Sequence, residues 1–338
     1  MNRVAPRPNF QHLLSLTNGY GTFEHAQYAV ARREHGYCVD DVARVLVVAS
    51  REREPSASIH RLARGSLDFL SESQSATGEC RNRRTADGTW IGVPSVEDCW
   101  GRSLWGLGLA IASAHEFLVD DAQRLFDRGV TQRSPWLRAT CFAVLGAAAV
   151  LTVEPGHAGS LSLLRDAADR VEELVGDEWP WPESRLTYAN AVVPDAMLAL
   201  GVALGRPVIV RQGLGLLAWL LQRETNDGHL SVTPAGGSGP TSPRPGFDQQ
   251  PIEVASMADA CARAIGIDDS PTWPRGIVMA HKWFEGDNDA DVVMWDRLTG
   301  GGFDGLHRDS ANLNQGAEST LAVISTHQQV RLHQLLPA

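Results

Sequence analysis

Apolar residues recur along the chain in two helical patterns that alternate. Segments of the first kind are apolar on all sides and rich in small residues, as in helices buried on every face; they are 99–112, 136–151, 188–204 and 252–267. Segments of the second kind repeat apolar residues at helical spacing opposite a polar face; they are 58–73, 161–175, 208–223 and 273–285. Strand-like alternation is scarce, so the chain is predicted to be helical.

The order of these segments predicts a specific fold. Six buried helices are expected to begin near residues 40, 97, 135, 187, 250 and 315, with an amphipathic helix in most of the gaps. The segment 10–16 is predicted to be the sixth amphipathic partner. Six such pairs indicate an all-α (α/α)6 toroid, in which an inner ring of helices lies inside an outer ring. Residues 1–338 would form one domain; the alternatives are an irregular helical bundle or a two-domain helical protein.

Four long connections run from an outer helix to the next inner helix, namely 77–96, 176–187, 227–247 and 288–314. Structureless loops above about 12 to 15 residues in a compact domain are usually functional. Connections of this kind all emerge on the face that holds the N-termini of the inner helices. We therefore expect a functional cleft on that face of the ring.

The overall charge excludes some classes of partner. The chain has 338 residues with 40 Asp and Glu against 30 Lys and Arg, a net charge of −10. A nucleic-acid binder needs a basic face to displace counterions, and an anionic membrane attracts basic segments. Neither nucleic acid nor a membrane is therefore expected as a partner. The longest apolar run, 141–151, is too short to cross a bilayer.

The cysteines and the N-terminal segment predict a cytoplasmic protein. The five cysteines are scattered and form no C-x-x-C pair, which argues against a disulfide framework and a metal motif. Residues 1–10 lack the apolar core of a signal peptide. No metal or other cofactor is predicted, although spacing does not exclude a calcium site built from oxygen ligands. The oligomeric state is left open.

Acids, amides and aromatic residues gather where the inner helices are expected to begin. Acids in a first turn complement the helix dipole by about 0.3 to 1 kcal/mol, so any one of them is explained by capping. Five such clusters are expected to converge on one rim of the ring. Together they resemble a functional site more than five independent helix caps. The candidate acids and bases are Asp40, Asp41, Glu97, Asp98 and Glu253. The candidate substrate-binding residues are His35, Tyr37, Arg44, Trp100, Arg102, Trp181, Glu183, Arg185, Tyr188, Asn190, Asp248, Gln249, Gln250, Asp304, Asn314, Gln315 and Glu318.

This combination of side chains is typical of a sugar site. Carboxylates, amides and arginines make directional hydrogen bonds to hydroxyls, and indole faces give flat surfaces for sugar rings. The tryptophans expected near the rim are Trp90, Trp100, Trp179, Trp181 and Trp295. A pair of carboxylates supplies glycosidic chemistry, one protonating the leaving oxygen and the other activating water or attacking the anomeric carbon. The sequence therefore predicts a glycoside hydrolase that acts on an oligosaccharide.

Two other functions stay open. A sugar epimerase or isomerase would use His35 with another rim histidine, taken from His25, His229 and His307. The third possibility is a glycan-binding protein without catalysis. Nucleotide, serine-hydrolase and zinc-protease motifs (G-x-x-x-x-G-K-[ST], G-x-S-x-G and H-E-x-x-H) do not occur in the sequence.

The clusters also resemble a bacterial family whose members are often named loosely as glycosyltransferase-associated domains. The resemblance rests on His-Gly-Tyr-Cys-Val-Asp-Asp-Val-Ala-Arg (35–44), Glu-Asp-Cys-Trp-Gly-Arg (97–102), Phe-Asp-Gln-Gln-Pro-Ile-Glu (247–253) and Asn-Gln-Gly-Ala-Glu-Ser-Thr (314–320). It implies the six-hairpin glycosidase-like fold, whose relatives include glycoside hydrolases, unsaturated uronyl hydrolases and sugar epimerases. The chain departs from the family pattern at Val42, where an Asn is expected, and at Ala189, where an Asp is expected.

Overall fold

The computed structural model describes residues 7–171 and 179–335. Within these ranges the helices are α1 (Gln11–Ser15), α2 (Val39–Arg51), α3 (Ala57–Ser73), α4 (Asp98–Ile111), α5 (Glu116–Gly129), α6 (Leu137–Val153), α7 (Ala158–Val171), α8 (Val192–Ala203), α9 (Pro207–Arg223), α10 (Pro251–Ile265), α11 (Thr272–Phe284) and α12 (Ala317–Leu332). A single 3-10 turn, Arg33–His35, precedes α2. None of the helices in the described ranges is long and apolar enough to cross a membrane.

The connections contain short antiparallel strands in place of the structureless loops that the sequence predicted. These strands are β1 (Thr17–Asn18), β2 (Gly21–Thr22), β3 (Ala26–Gln27), β4 (Val30–Ala31), β5 (Tyr37–Cys38), β6 (Arg83–Arg84), β7 (Trp90–Ile91), β8 (Thr225–Asn226), β9 (His229–Leu230), β10 (Gly305–Leu306) and β11 (Ala311–Asn312). They pair as β1–β2, β3–β4, β5–β6–β7, β8–β9 and β10–β11. The three-stranded sheet joins the segment before α2 to the connection before α4.

The even-numbered helices α2 to α12 form the inner ring. Each packs against the next, and α12 closes the circle by packing on α2. The helices α3, α5, α7, α9 and α11 each pack outside the inner helix that precedes them, and the short α1 packs on α12. The predicted (α/α)6 toroid is therefore confirmed. The segment 10–16 takes the outer position expected for it, because Phe10, Leu13 and Leu16 bury against α12 residues such as Leu321.

All six inner helices line a largely apolar pocket of about 550 Å³, including space open to solvent, at the centre of the ring. Two of its lining residues, Arg44 and Arg102, also line the polar cleft described below. Charged contacts tie other inner helices together: Arg51 of α2 donates to Asp259 of α10 at 3.0 and 3.1 Å. The central cavity and the polar cleft are therefore neighbours, with two arginines at their boundary.

Helices α4 and α6 touch backbone to backbone. A Cβ atom built on Gly146 would lie 2.1 Å from the carbonyl oxygen of Leu104, and one on Gly108 would lie 2.3 Å from the carbonyl oxygen of Gly146. Gly101 approaches Ala139 in the same way. Glycine in these buried helices is therefore required by the closeness of the two backbones.

The helix bounds differ from expectation at three places. Helix α8 begins at Val192 and not at 188, because the preceding residues form a turn in which Ala189 has a φ of 44°. Helix α5 was not assigned from the sequence. The amphipathic segment predicted at 161–175 appears as α7, and its last residues, like the first residues of the predicted loop 176–187, lie outside the described ranges.

Candidate functional site

A polar cleft of about 1100 Å³, including space open to solvent, lies over the N-termini of the inner helices. The first turns of α2, α4 and α12 form its floor, and residues from the rim connections form its walls. Its carboxylates are Glu24, Asp40, Asp41, Asp98, Asp248, Asp304 and Glu318. Its basic side chains are His25, Arg44, Arg83 and Arg102. The cleft is therefore rich in acids, with arginines placed among them.

Arg44 holds two carboxylates at the floor of the cleft. Its Nη2 donates to Asp41 Oδ1 at 2.5 Å and lies 2.9 Å from Glu318 Oε2. Burial raises the pKa of Asp41 to about 7, and the positive charge of Arg44 opposes that shift. This contact joins the first turn of α2 to the first turn of α12, so it fixes the two helix ends that close the ring.

Arg102 holds a second pair of carboxylates. Its Nε lies 3.7 Å from Asp40 Oδ1, its Nη2 lies 3.6 Å from Asp98 Oδ2, and its guanidinium stacks 4.2 Å from the ring centroid of Phe142. Two contacts of this length to one planar group keep Asp40 Oδ1 and Asp98 Oδ2 no more than about 10 Å apart. Carboxyl separations in glycoside hydrolases are about 5 to 9.5 Å. Asp40 and Asp98 are therefore close enough to act on one bond.

The two carboxylates of this pair have different surroundings. Asp40 Oδ2 accepts a hydrogen bond from Asn82 Nδ2 at 2.9 Å, whereas Asp40 Oδ1 has no hydrogen-bond partner among the residues that the structure describes. Asp98 is within hydrogen-bonding reach of the Tyr188 hydroxyl. Burial raises the pKa of Asp98 above its usual value; the charge of Arg102 opposes this shift, and the negative charge of Asp40 adds to it. Asp98 is thus the member of the pair that burial favours in the protonated form.

Asp304 anchors the wall of the cleft beside α12. Its Oδ1 accepts hydrogen bonds from the backbone N–H of Gly316 at 2.8 Å and from the Ser319 hydroxyl at 2.5 Å. Burial raises the pKa of Asp304, and these two donors oppose the shift. The carboxylate therefore satisfies the start of α12 while it faces the cleft.

A second groove continues from the cleft along α6. Its lining includes Glu97, Trp136, Arg138 and Glu183, and it shares Asp98 and Tyr188 with the cleft. The Trp136 side chain is 57% exposed, and Tyr188 is 43% exposed. Asp98 therefore lies where the cleft and the groove meet. The Tyr188 ring lies at this junction, and the Trp136 ring lies in the groove.

Many of the residues predicted from the sequence meet in these two spaces. Of the candidate acids, Asp40, Asp41 and Asp98 line the cleft, and Glu97 lines the groove. The candidate binding residues that line one or both spaces are Arg44, Arg102, Glu183, Tyr188, Asp248, Gln250, Asp304 and Glu318.

Glu253 lies behind the cleft in a buried position. Its Oε1 accepts from the backbone N–H of Ala189 at 2.5 Å, and its Oε2 accepts from the backbone N–H and the side-chain Nδ2 of Asn190, both at 3.0 Å. Burial and the negative charge of Glu224 raise the pKa of Glu253, and the N–H groups act in the opposite direction. Glu253 and Asn190 thus hold the turn that presents Tyr188, and neither lines the cleft.

Three of the aromatic binding candidates are packed inside the protein. Trp100 is buried and donates from Nε1 to the carbonyl of Gly129 at 2.9 Å, and Tyr37 is buried with its hydroxyl on Asn18. Trp181 is buried and stacks on Trp219. None of these three candidates reaches the cleft, because each one fills a space between helices or strands.

Five other candidates support the rim without lining it. Gln249 is buried and bonds Asp289 at 2.6 Å, and Gln315 is buried against Gly301 and Thr299. Asn314 accepts from the backbone N–H of Tyr28, Arg185 donates to the carbonyl of Gly236, and His35 lies beside Glu34.

Sequence reasoning missed several lining residues. Glu24 comes from the segment before α2, where His25, His35 and Tyr37 were the candidates. Arg83 is the first residue of β6, and Asn82 lies directly before it. Trp136 and Arg138 lie at the start of α6, the one inner helix at which the sequence shows no cluster of acids and amides. An exposed tryptophan at the start of a buried helix was the available signal.

The rim histidines have unequal positions. His25 lines the cleft, and its ring centroid lies 5.0 Å from that of His35. His307 Nδ1 lies 2.8 Å from Asp248 Oδ1, next to the cleft. His229 pairs with Asp289 at 3.0 Å and supports the rim from outside. His25 is the one histidine among the described residues that line the cleft.

Comparison with solved structures shows the same fold in carbohydrate-processing proteins. A sugar epimerase from a ruminal bacterium matches with a TM-score of 0.70 and 10% identity, over 97% of this chain and 96% of that one. A D-mannose isomerase matches with a TM-score of 0.68 and 10% identity, over 96% and 95%. An α-mannanase of glycoside hydrolase family 76 from Bacteroides thetaiotaomicron matches with a TM-score of 0.61 and 9% identity, over 88% and 87%.

These proteins have the six-hairpin glycosidase-like fold, so the expected fold type is confirmed. At such low identities the likeness concerns the fold alone. No protein-family model matches the chain, and a search of curated proteins finds no match.

Proposed function

We propose that this protein is a carbohydrate-active enzyme that cleaves a glycosidic bond in an oligosaccharide. The observation that carries the proposal is the pairing of Asp40 and Asp98 on one guanidinium, at the junction between the cleft and the groove. A bond that crosses this junction has room for a sugar unit on either side. The carboxylate pair is then placed at the bond itself and not at one end of the ligand.

Asp98 takes the role of general acid. Because burial raises its pKa, Asp98 holds a proton at a higher pH than an exposed aspartate does. It donates this proton to the glycosidic oxygen as the bond to the anomeric carbon breaks. Asp40 either removes a proton from the attacking water or attacks the anomeric carbon directly. Asn82, which donates to Asp40 Oδ2 at 2.9 Å, keeps Asp40 oriented while Asp98 changes its charge.

The other polar groups of the cleft bind hydroxyls. Asp248, Gln250 and Asp304 offer acceptors and donors along the wall, while the faces of Tyr188 and Trp136 are exposed for contact with sugar rings. Glu253, which the sequence placed in the pool of acids and bases, is assigned here to positioning, because its oxygens hold the backbone turn beside Tyr188.

An epimerase or isomerase is the second candidate. His25 lines the cleft, and two of the solved structures with this fold are a sugar epimerase and a D-mannose isomerase. Proton transfer at a carbon atom beside a carbonyl needs a base near neutral pKa, which histidine supplies. The described lining has seven carboxylates and this one histidine, so the composition of the cleft favours the hydrolase.

One experiment separates these functions. The protein is incubated in D2O with manno-, gluco- and arabino-oligosaccharides, and the products are analysed by mass spectrometry and NMR. A hydrolase shortens the chains, whereas an epimerase leaves the length unchanged and introduces deuterium beside the reducing carbon. Cleavage that is lost in Asp98→Asn and Asp40→Asn, but kept in His25→Gln, supports the proposal.

The matched control is Asp169→Asn, an exposed acid on α7. Deuterium incorporation that is lost in His25→Gln would favour an epimerase over a hydrolase. Binding of an oligosaccharide without any product would favour a glycan-binding protein. The single domain of residues 1–338, the cytoplasmic location and the absence of nucleic-acid and membrane partners stay predictions.

A further inference from the structure

Two buried histidines lie together between α11 and α12, away from the cleft. His281 is 9% exposed and His327 is 4% exposed, and their ring centroids are 5.2 Å apart. His281 Nδ1 and His327 Nε2 have no hydrogen-bond partner among the residues that the structure describes. Buried polar atoms are nearly always paired, so two unpaired ring nitrogens in one place call for a ligand.

Glu285 completes this group. It follows His281 by one helical turn at the C-terminal end of α11, so both side chains lie on the same face. One ligand atom from each of His281, Glu285 and His327 lies within 4.8 Å of the others. Two imidazoles and a carboxylate form a ligand set that zinc uses in proteins, with a fourth position left for water.

We propose that His281, Glu285 and His327 form a binding site for a divalent transition-metal ion of the zinc class. The ion would link α11 to α12 and so fasten an outer helix to the inner helix that closes the ring. His327 lies nine residues beyond Glu318, about 14 Å along the axis of α12 at 1.5 Å per residue. The site is therefore separate from the cleft and independent of the proposed hydrolase.

The surroundings fit this ion. Trp295 Nε1 donates to Glu285 Oε1 at 3.0 Å, the type of outer hydrogen bond that orients a metal-binding carboxylate. The Glu285 side chain is 30% exposed, so an ion can approach from solvent.

Arg297 is the competing cation at this site. Its Nη2 donates to Glu285 Oε2 at 2.5 Å, and its side chain is 61% exposed. An arginine so exposed is able to swing into solvent when an ion takes its place. Removing it in Arg297→Ala should therefore tighten metal binding.

A second group with suitable donor atoms occurs in the cleft and fits a metal less well. Ligand atoms of Glu24, Cys38 and Asp41 also lie within 4.8 Å of one another. However, Arg83 pairs with Glu24, Arg44 pairs with Asp41, and the Cys38 thiol donates to Asn82 and to Asp40. An ion there would have to displace two arginines.

The test measures zinc uptake by the full chain after treatment with a chelator. Calorimetry and elemental analysis should show one equivalent of Zn²⁺, and Co²⁺ in its place should give the visible absorption of a tetrahedral site. His327→Gln and Glu285→Gln should each weaken binding by at least about 100-fold, the upper range for losing even an outer-shell partner. His333→Gln, just beyond α12, and Cys38→Ser should bind as the wild type does.

Circular dichroism in metal-free buffer checks that each variant is folded. If His327→Gln fails to fold, Glu285→Gln and Arg297→Ala still test the metal site. Both side chains are partly exposed, so these two variants are expected to fold. The proposal is overturned if the wild type takes up no zinc. It is also overturned if Glu285→Gln binds zinc as tightly as the wild type does. A third contrary result would be loss of zinc uptake in Cys38→Ser together with unchanged uptake in Glu285→Gln and His327→Gln.

Discussion

The contact between α4 and α6 predicts that Gly146→Ala destabilises the protein, although alanine is the better helix former. The added Cβ would lie 2.1 Å from the carbonyl oxygen of Leu104, and Cβ atoms in proteins essentially never approach a heavy atom within 3.0 Å. The obstacle is backbone and not the flexible end of a side chain. To relieve it, the two helices must separate by roughly 1 Å, which also loosens the contacts at Gly101 and Gly108.

The expected change in the free energy of unfolding is the difference between two opposing effects. Forcing an extra methyl into a well-packed interior costs about 1 to 3 kcal/mol, and occasionally more. Replacing a helical glycine by alanine returns about 1 kcal/mol at most. Because the clash is with backbone, we expect the upper end of the cost and a net loss of about 2 kcal/mol. With 338 residues and about 2.1 cal/mol/K of unfolding entropy per residue, this lowers Tm by about 3 °C.

Gly215→Ala is the matched control. Gly215 lies within α9, is exposed, and has open space around the position of a Cβ atom. This substitution should stabilise the protein by about 0.5 to 1 kcal/mol, through helix propensity alone. Both variants are compared with the wild type by urea unfolding and by calorimetry. If Gly146→Ala proved as stable as Gly215→Ala, the close approach of α4 and α6 would be refuted.

Three further predictions concern the cleft. Asp98→Asn should lower kcat for glycan cleavage by about 10²- to 10⁴-fold with little change in Tm, and a variant with normal turnover would remove Asp98 as the acid. The Tyr188 hydroxyl lowers the pKa of Asp98, so Tyr188→Phe should keep that carboxyl protonated to higher pH and move the alkaline limb of the pH–kcat profile upward; a downward shift would contradict this sign. Glu253→Gln replaces one of the two carboxylate oxygens by an amide donor, which then faces the backbone N–H of either Ala189 or Asn190. This substitution should cost about 1 to 3 kcal/mol in urea unfolding. Unchanged stability would mean that this turn does not depend on Glu253.

The inner ring was predictable because helices buried on all sides have a distinctive composition. The start of α8 was not, since the turn before it is held by Glu253, 64 residues later in the chain. No local pattern carries such a contact. Helix α5 did have a signal, because Leu118, Ala122, Leu125 and Phe126 recur at helical spacing among charged residues.

The candidate site was predicted as clusters, and the clusters mixed residues that point in opposite directions. Asp98 and Arg102 are four residues apart on α4 and face the cleft together, whereas Trp100, two residues from each, faces away into the core. Gln249 and Gln250 divide in the same way just before α10. Helical periodicity within α4, and the two-residue alternation of extended backbone before α10, would have separated the cleft-facing side chains from the packing ones.

The closure of the ring by α12 against α2 sets an order of events during synthesis. Helix α2 ends at Arg51, and the helix that covers one of its sides begins at Ala317. At about 5 to 20 residues per second, a ribosome needs roughly 15 to 50 s to make the intervening chain. Throughout that interval the nascent protein exposes an apolar face on α2, and the carboxylates near Arg44 lack their partner on α12. The cleft is therefore assembled only when the last inner helix arrives.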